Sequence, residues 1–220
     1  MIDIHAHILP IDDGPKTFVD CVEMCREAER NGVTKIVCTP HVLKPGYGID
    51  KKIIEDNIKI LRQKLKDSNI NIELIQGAEN LYDQNIPIAK TGYILIEFPL
   101  AEMPLDAEIK VKELLKKYYV IIAHIERYRK FRHNIEALKK YVDMGCYCQI
   151  NAESFFKWRY RSHIKKFLNL GMVHFIASDM HTFKEATLLA KAVEKAKKYM
   201  PDAENLVTKN PEKMLKGQKL

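Results

Sequence analysis

No stretch of this 220-residue chain approaches the roughly 20 consecutive apolar residues that a membrane helix requires, so insertion into a membrane is not expected. The opening MIDIHAHILP has no basic segment ahead of its apolar residues and no long apolar core. That argues against a secretory leader and makes the cytoplasm the expected compartment. There is no CxxC pair. The five cysteines, Cys21, Cys25, Cys38, Cys146 and Cys148, are odd in number, which argues against a disulfide framework or a zinc ribbon and predicts reduced, buried thiols. No linker, repeat or low-complexity segment interrupts the chain, so residues 1–220 are expected to form one domain.

What is present is an ordinary globular composition, 46% hydrophobic and 30% charged. The net charge of +7 favours an anionic substrate or partner. Many of the lysines lie in helical segments such as KELLKK and KAVEKAKK, where a solvated face explains them, so nucleic-acid binding is not expected.

Apolar runs rich in β-branched residues alternate with amphipathic stretches, the pattern of repeated βα units around a parallel sheet. Strands are expected at IDIHAH from Ile2, KIVCTP from Lys35, IELIQG from Ile72, YILIEF from Tyr93, YVIIAH from Tyr119, CYCQIN from Cys146 and HFIASD from His174. Helices are expected over 17–30, 49–67, 105–117, 133–144, 161–170 and 183–199. Seven such units predict an α/β fold, a βα barrel whose functional face lies at the carboxyl ends of the strands.

Those ends are where the chemistry gathers. Strand one ends in His5-Ala6-His7, and residues i and i+2 of an extended chain point the same way, so both imidazoles can reach one ion. The next strands end at His41, Glu79, Glu97 and His124, and the last at Asp179-Met180-His181. Five of the eight histidines thus fall at strand ends, whereas His133, His163 and His174 read as surface or capping residues. One histidine after a strand is more often a hydrogen-bonded loop residue than a ligand. Glu97, however, sits among Ile94, Leu95, Ile96 and Phe98, where a carboxylate needs a partner, and a cation is a natural one. Recurrence on six strands favours a shared cation site. Imidazole with carboxylate and no thiolate suits manganese, iron or zinc, and the ligands suffice for two or three ions, with Glu79 the candidate bridge.

IDIHAHILP followed by DDG, CTPH, Glu79, ILIEFP, IIAHIERY, QINAES, FIASDMH and NPEKMLKG together resemble the PHP superfamily of metallophosphoesterases. The nearer likeness is to its CpsB/CapC branch of bacterial tyrosine-protein phosphatases from capsular and exopolysaccharide operons. The resemblance implies a distorted (β/α)7 TIM-like barrel of the PHP type with a trinuclear, usually Mn2+, site. It implies His5, His7, Glu79 and Asp179 around one ion, Glu79, Glu97 and His124 around a second, and Asp13, His41 and His181 around a third. Arg127 of the HIERY stretch is expected to grip the phosphate, with Tyr128 and Lys184 as further substrate contacts. The implied partner is the phosphotyrosine tail of a tyrosine kinase that regulates polysaccharide synthesis.

There are departures from that pattern. The loop after Pro10 is one residue short, so Asp12 and Asp13 compete for one ligand role. HIE replaces His-Pro-Glu. A second arginine after the SDMH stretch is missing, because TFKEAT supplies only Lys184. A phosphatase for a small metabolite such as histidinol phosphate, or for nucleic acid, is the alternative in the same fold.

No cysteine is followed six positions later by arginine, so a Cys-x5-Arg phosphate loop is absent. Hydrolysis is instead expected through a cation-activated water attacking phosphorus in line. Asp13, Glu79, Glu97 and Asp179 bring four negative charges against the six positive ones of three divalent ions, a surplus that suits a phosphate dianion.

Overall fold

The computed structural model describes residues 1–42 and 49–220. Its strands are β1 (Ile2–Ala6), β2 (Lys35–Cys38), β3 (His41–Val42), β4 (Glu73–Gln76), β5 (Glu79–Leu81), β6 (Tyr93–Glu97), β7 (Tyr119–Ile122), β8 (Tyr147–Asn151) and β9 (Phe175–Ala177). The helices are α1 (Phe18–Arg30), α2 (Lys51–Asp67), α3 (Ala107–Leu115), α4 (Arg129–His133), α5 (Ile135–Asp143), α6 (Trp158–Asn169), α7 (Leu188–Ala196) and α8 (Lys209–Leu215). Among the described residues no helix is long and apolar enough to cross a membrane.

All paired strands are parallel, in the orders β1-β2-β4 and β3-β5-β6-β7-β8-β9. Two expected strands are each broken in two. Pro40, which has no N–H to donate, separates β2 from β3. Gly77 and Ala78 separate β4 from β5, and a Cβ on Gly77 would sit 2.6 Å from Val37 Cγ1 of the neighbouring β2, so only glycine fits there. Counting each broken pair once leaves the expected seven positions. The two sheets curl towards each other where β9 meets β1. There Ala6 bridges Met180, the Asp179 N–H donates to the His5 carbonyl at 2.8 Å, and the His7 N–H donates to Met180 O at 3.0 Å.

Period-two alternation sorts the strand residues into two cores. Val37, Tyr93, Leu95, Ile121, Ala123, Tyr147, Phe175 and Ala177 pack inside the barrel. Ile36, Cys38, Ile94, Ile96, Val120, Ile122, Cys148, Ile150 and Ile176 pack outward against the helices. Helix α8 was not foreseen from the sequence. It brings Met214 into the inner core, and the Tyr93 hydroxyl donates to the Gln218 carbonyl at 2.6 Å just beyond it.

The helices begin where capping chemistry allows. Thr17 accepts from the Asp20 N–H at 3.2 Å, and Asp50 from the Ile53 N–H at 2.8 Å. The helix expected over 133–144 is α5, and the short α4 precedes it. Asn134 stands between them in an extended conformation and caps α5 through the Ala137 N–H at 3.3 Å. All five cysteines are buried and unpaired.

Candidate metal centre

Extending the inward face of each strand by one more step gives the rim. Glu97 follows Tyr93 and Leu95, Asp179 follows Phe175 and Ala177, and Gln149 and Asn151 follow Tyr147. The parallel pairing of β3 with β5 sets His41 directly beside Glu79. In β1 the inward residues Ile2 and Ile4 would leave His5 facing outward, but the register slips between Asp3 and Ala6. That irregularity brings His5 and His7 to the rim together.

Four of the expected residues form a compact group. His5 Nε2 lies 3.2 Å from His7 Nε2, 3.3 Å from Glu79 Oε2 and 3.2 Å from Asp179 Oδ1. His7 Nε2 lies 3.3 Å from Glu79 Oε2 and 3.4 Å from Asp179 Oδ1. Ligands about 2.0–2.1 Å from an ion at the corners of a tetrahedron are about 3.3–3.4 Å apart, so these spacings suit a cation in their midst. Glu79, 1% exposed, also reaches His124 Nε2 through Oε1 at 2.8 Å and His41 Nδ1 through Oε2 at 3.0 Å. His41 Nδ1 is 3.2 Å from Glu97 Oε1, and His124 Nε2 is 3.8 Å from Glu97 Oε2.

The third group is looser. His181 Nε2 lies 3.2 Å from Asp13 Oδ1, and His41 Nε2 3.6 Å from Asp13 Oδ2. His41 therefore spans two groups, with its closer nitrogen turned to Glu79 and Glu97 rather than to Asp13. The nearly parallel His7 and His181 rings, 4.2 Å apart, also bring His7 beside the third group. His7 Nδ1 is engaged by Asp12, however, which leaves only Nε2 for a cation.

Asp12 and Asp13 divide the roles between them. Asp12 Oδ2 accepts from His7 Nδ1 at 2.7 Å and from the His41 N–H at 3.1 Å, while its Oδ1 accepts from the Gly14 N–H at 3.2 Å. This carboxylate fixes the His7 tautomer, and Asp13 is the one that faces His41 and His181.

Gln149 does for His5 what Asp12 does for His7. Its Oε1 accepts from His5 Nδ1 at 3.2 Å and from the His124 N–H at 2.9 Å. An amide oxygen only accepts, so the His5 proton sits on Nδ1 and the Nε2 lone pair faces the group. Gln149 Nε2 donates to Asn151 Oδ1 at 2.7 Å, and Asn151 Nδ2 donates to Asp179 Oδ2 at 2.5 Å. Sequence reasoning missed these two amides, although a glutamine between Cys148 and Ile150 in a buried strand was a visible signal.

His124 and Asp179 both hold left-handed backbone, with φ of 33° and 52°. Non-glycine residues adopt that region at a cost, and such strain gathers at functional sites.

Charge compensation shifts the site's ionisations strongly. Burial alone would lower His5, but the Glu79 and Asp179 carboxylates outweigh it and raise it. Burial opposes protonation of His7 as well, yet its bonds to Asp12, Asp179 and Glu79 hold it well above its ordinary value. Burial would raise Glu79, but His5, His124 and His41 hold it well below the carboxylate range. The bonds to His181 and His41 lower Asp13. Imidazolium protons here balance carboxylates, a task divalent cations perform equally well. The buried His41 Nδ1 lies close to the Glu79 and Glu97 carboxylates without making a hydrogen bond to either, as suits a nitrogen and oxygens gathered around a metal.

Arg127 lines a cavity of about 210 Å³ together with Asn151, Asp179 and His181. Its side chain is 35% exposed, and Nη1 lies 3.4 Å from Asp179 Oδ2, a loose contact that leaves other N–H groups free. Tyr128 is not available to stack on a substrate and is corrected to a core residue. It is 1% exposed, its hydroxyl accepts from the Phe98 N–H at 3.0 Å, and its ring meets Phe98 and Phe131 edge-on. Lys184 is exposed and does not line the cavity with Arg127.

A parallel βα barrel carrying this many imidazoles and carboxylates on one rim has the architecture of a metal-dependent hydrolase. The model of the capsular polysaccharide synthesis family CpsB/CapC matches residues 1–216, and the chain belongs to that family. It is 32% identical to the tyrosine-protein phosphatase CpsB of Streptococcus agalactiae serotype III over 82% of this chain and 83% of that protein. It is also 32% identical to the tyrosine-protein phosphatase YwqE of Bacillus subtilis, over 99% and 92% of the two chains. A crystal structure from the work on YwqE of Bacillus subtilis and CpsB of Streptococcus pneumoniae, described as unique metal-dependent tyrosine phosphatases, superposes with a TM-score of 0.93. That match has 32% identity and covers 100% of this chain and 96% of the other.

Proposed function

We infer that this chain is a metal-dependent tyrosine-protein phosphatase that hydrolyses the phosphate monoester of phosphotyrosine. The observation that carries the reading is Glu79, buried and within 3.3 Å of His5, His7, His41 and His124, with Arg127 in the adjoining cavity.

His5, His7, Glu79 and Asp179 would hold one divalent ion, and Glu79, Glu97 and His124, with His41 Nδ1 in reach, a second. Asp13 and His181 would hold a third. Oxygen and imidazole donors without thiolate suit Mn2+, with iron or zinc as substitutes. Such ions supply a water of lowered pKa and positive charge against the phosphate dianion.

The chain's own groups do the rest. Asp12 and Gln149 keep protons on Nδ1 of His7 and His5, so both Nε2 lone pairs point inward. Asn151 fixes the Asp179 carboxylate. Arg127 donates to phosphoryl oxygens through its free N–H groups as charge builds on them. Water adds to phosphorus, the phosphorus–oxygen bond to the tyrosine breaks, and the departing phenolate takes up a proton. A phenolate, whose acid has a pKa near 10, leaves more readily than an alkoxide and needs less acid assistance.

The physiological substrate would be the phosphorylated tail of a bacterial tyrosine kinase in capsular polysaccharide synthesis. The test compares a phosphotyrosine peptide with histidinol phosphate and single-stranded DNA, after metal removal and reloading with Mn2+, Fe2+ or Zn2+. Preferred turnover of the peptide, and its loss without metal, is the expected result. Negligible peptide turnover under all three loadings would overturn the reading.

A further inference from the structure

The cavity that holds Arg127 carries two further cations, Lys157 and Arg159, at the start of α6. Its carboxylates are already engaged. Glu153 pairs with Lys157, and Asp179 faces the histidines of the rim. Glu185 Oε2 accepts from the N–H groups of His181 and Thr182 at 2.7 and 2.9 Å.

Among the described residues, Arg159 has no carboxylate within ion-pair distance. Its guanidinium rests instead on the Tyr160 ring, 4.5 Å from the centroid. That ring is buried and also carries the Arg132 guanidinium at 5.5 Å, whose Nη1 donates to the Glu126 and Arg127 carbonyls at 2.9 and 2.6 Å. Arg159 and the backbone of Arg127 thus share one scaffold beside the cavity that both side chains line. Trp158, next to Arg159 in the chain, is 85% exposed.

We propose that Arg159 determines specificity by forming a second oxyanion subsite, which reads an acidic group close to the phosphotyrosine in the substrate chain. This rests on the phosphotyrosine reading. Arg127 is committed to the scissile phosphate and Lys157 to Glu153, which leaves Arg159 the cation with unclaimed N–H donors. A guanidinium suits either a carboxylate or a second phosphoryl group, since both present paired oxygens to its fork. Stacking on Tyr160 orders the side chain beforehand and reduces the entropy lost on binding.

The test measures kcat/KM on three phosphotyrosine peptides that differ only in the neighbouring residues, being alanine, glutamate or phosphoserine. Wild-type protein is expected to favour the acidic peptides about three- to five-fold through KM, and the advantage shrinks as salt is raised. Arg159→Ala brings the ratio to about one, and Arg159→Glu brings it below one. Preference for glutamate and phosphoserine alike assigns the subsite to oxyanions generally, whereas preference for phosphoserine alone assigns it to a second phosphate. Equal rates on all three peptides in wild-type protein, or a preference that survives both substitutions, would overturn the proposal while the tyrosine phosphatase reading stands. No turnover of any of the three would remove both.

Discussion

Replacing Glu79 by glutamine keeps the size of the side chain and removes the charge that four histidines of the rim share. Its two oxygens lie between 2.8 and 3.3 Å from nitrogens of four histidines, more imidazoles than any other carboxylate among the described residues holds at that range. Two unit charges about 4 Å apart in an effective dielectric near 20 attract by about 4 kcal/mol before desolvation. A shared carboxylate lost from two divalent ions removes more than that in total. If relaxation and water entry offset half, roughly 2–3 kcal/mol remains per ion, which is about 100-fold in affinity. The new amide NH2 also points a donor where a cation should sit.

After dialysis against a weak chelator, Glu79→Gln should retain at least one metal ion fewer than wild-type protein, by elemental analysis. Its kcat/KM on p-nitrophenyl phosphate should fall at least 100-fold. Far-ultraviolet circular dichroism checks that the barrel still folds. Wild-type metal content and rate in a folded Glu79→Gln protein would refute the assignment of Glu79 as the shared ligand.

Three further outcomes follow from particular contacts. Asp12→Asn weakens the acceptor that fixes the His7 tautomer but leaves every proposed ligand in place. Metal affinity should therefore fall about 10- to 100-fold, measured by competition with a fluorescent chelator, and an unchanged affinity would contradict the role. Gly14 lies where a Cβ would stand 2.4 Å from the His7 carbonyl oxygen, a backbone atom that cannot rotate away. Gly14→Ala should thus displace the loop that carries Asp13, cost about 1–3 kcal/mol in urea unfolding and lower activity, whereas a neutral result would mean the loop has slack. His174 is half-buried, and its desolvation lowers it from 6.5 to about 4, while its Nδ1 accepts from the Cys148 N–H at 3.1 Å. The unfolded chain binds this proton more readily. Its contribution is therefore complete above pH 6.5, declines as the pH falls towards 4, and totals up to about 3 kcal/mol. His174→Gln keeps an acceptor without titrating, so the wild-type-minus-variant stability should slope over that window, and parallel profiles would contradict the shift.

The barrel and its rim were legible because both follow short-range rules. β-branched runs mark the strands, and a ligand residue stands at or next to the carboxyl end of most of them. What escaped depended on tertiary contacts. The short strands after Pro40 and Gly77 depend on β3 and β5 pairing with each other, and the break at Gly77 on the close approach of Val37. The five-residue α4 ahead of Asn134 is too short to show an apolar period. Tyr128, next to Arg127 in sequence, looked like a substrate contact, but burial against Phe98 and Phe131 decides its place. The register slip that turns His5 and His7 inward, and the left-handed backbone of His124 and Asp179, carry no glycine to announce them. Gln149 and Asn151 could have been read from the sequence, since two amides on the inward face of an apolar strand need partners there.

The account turns on whether the rim binds divalent cations and uses them against phosphotyrosine. The direct measurement is metal content per chain in protein purified without chelator, set beside turnover of a phosphotyrosine peptide before and after stripping and reloading with Mn2+. The account predicts two to three ions per chain and activity that vanishes and returns with them. A folded protein that binds no ion, or that hydrolyses the peptide equally well when stripped, would contradict it.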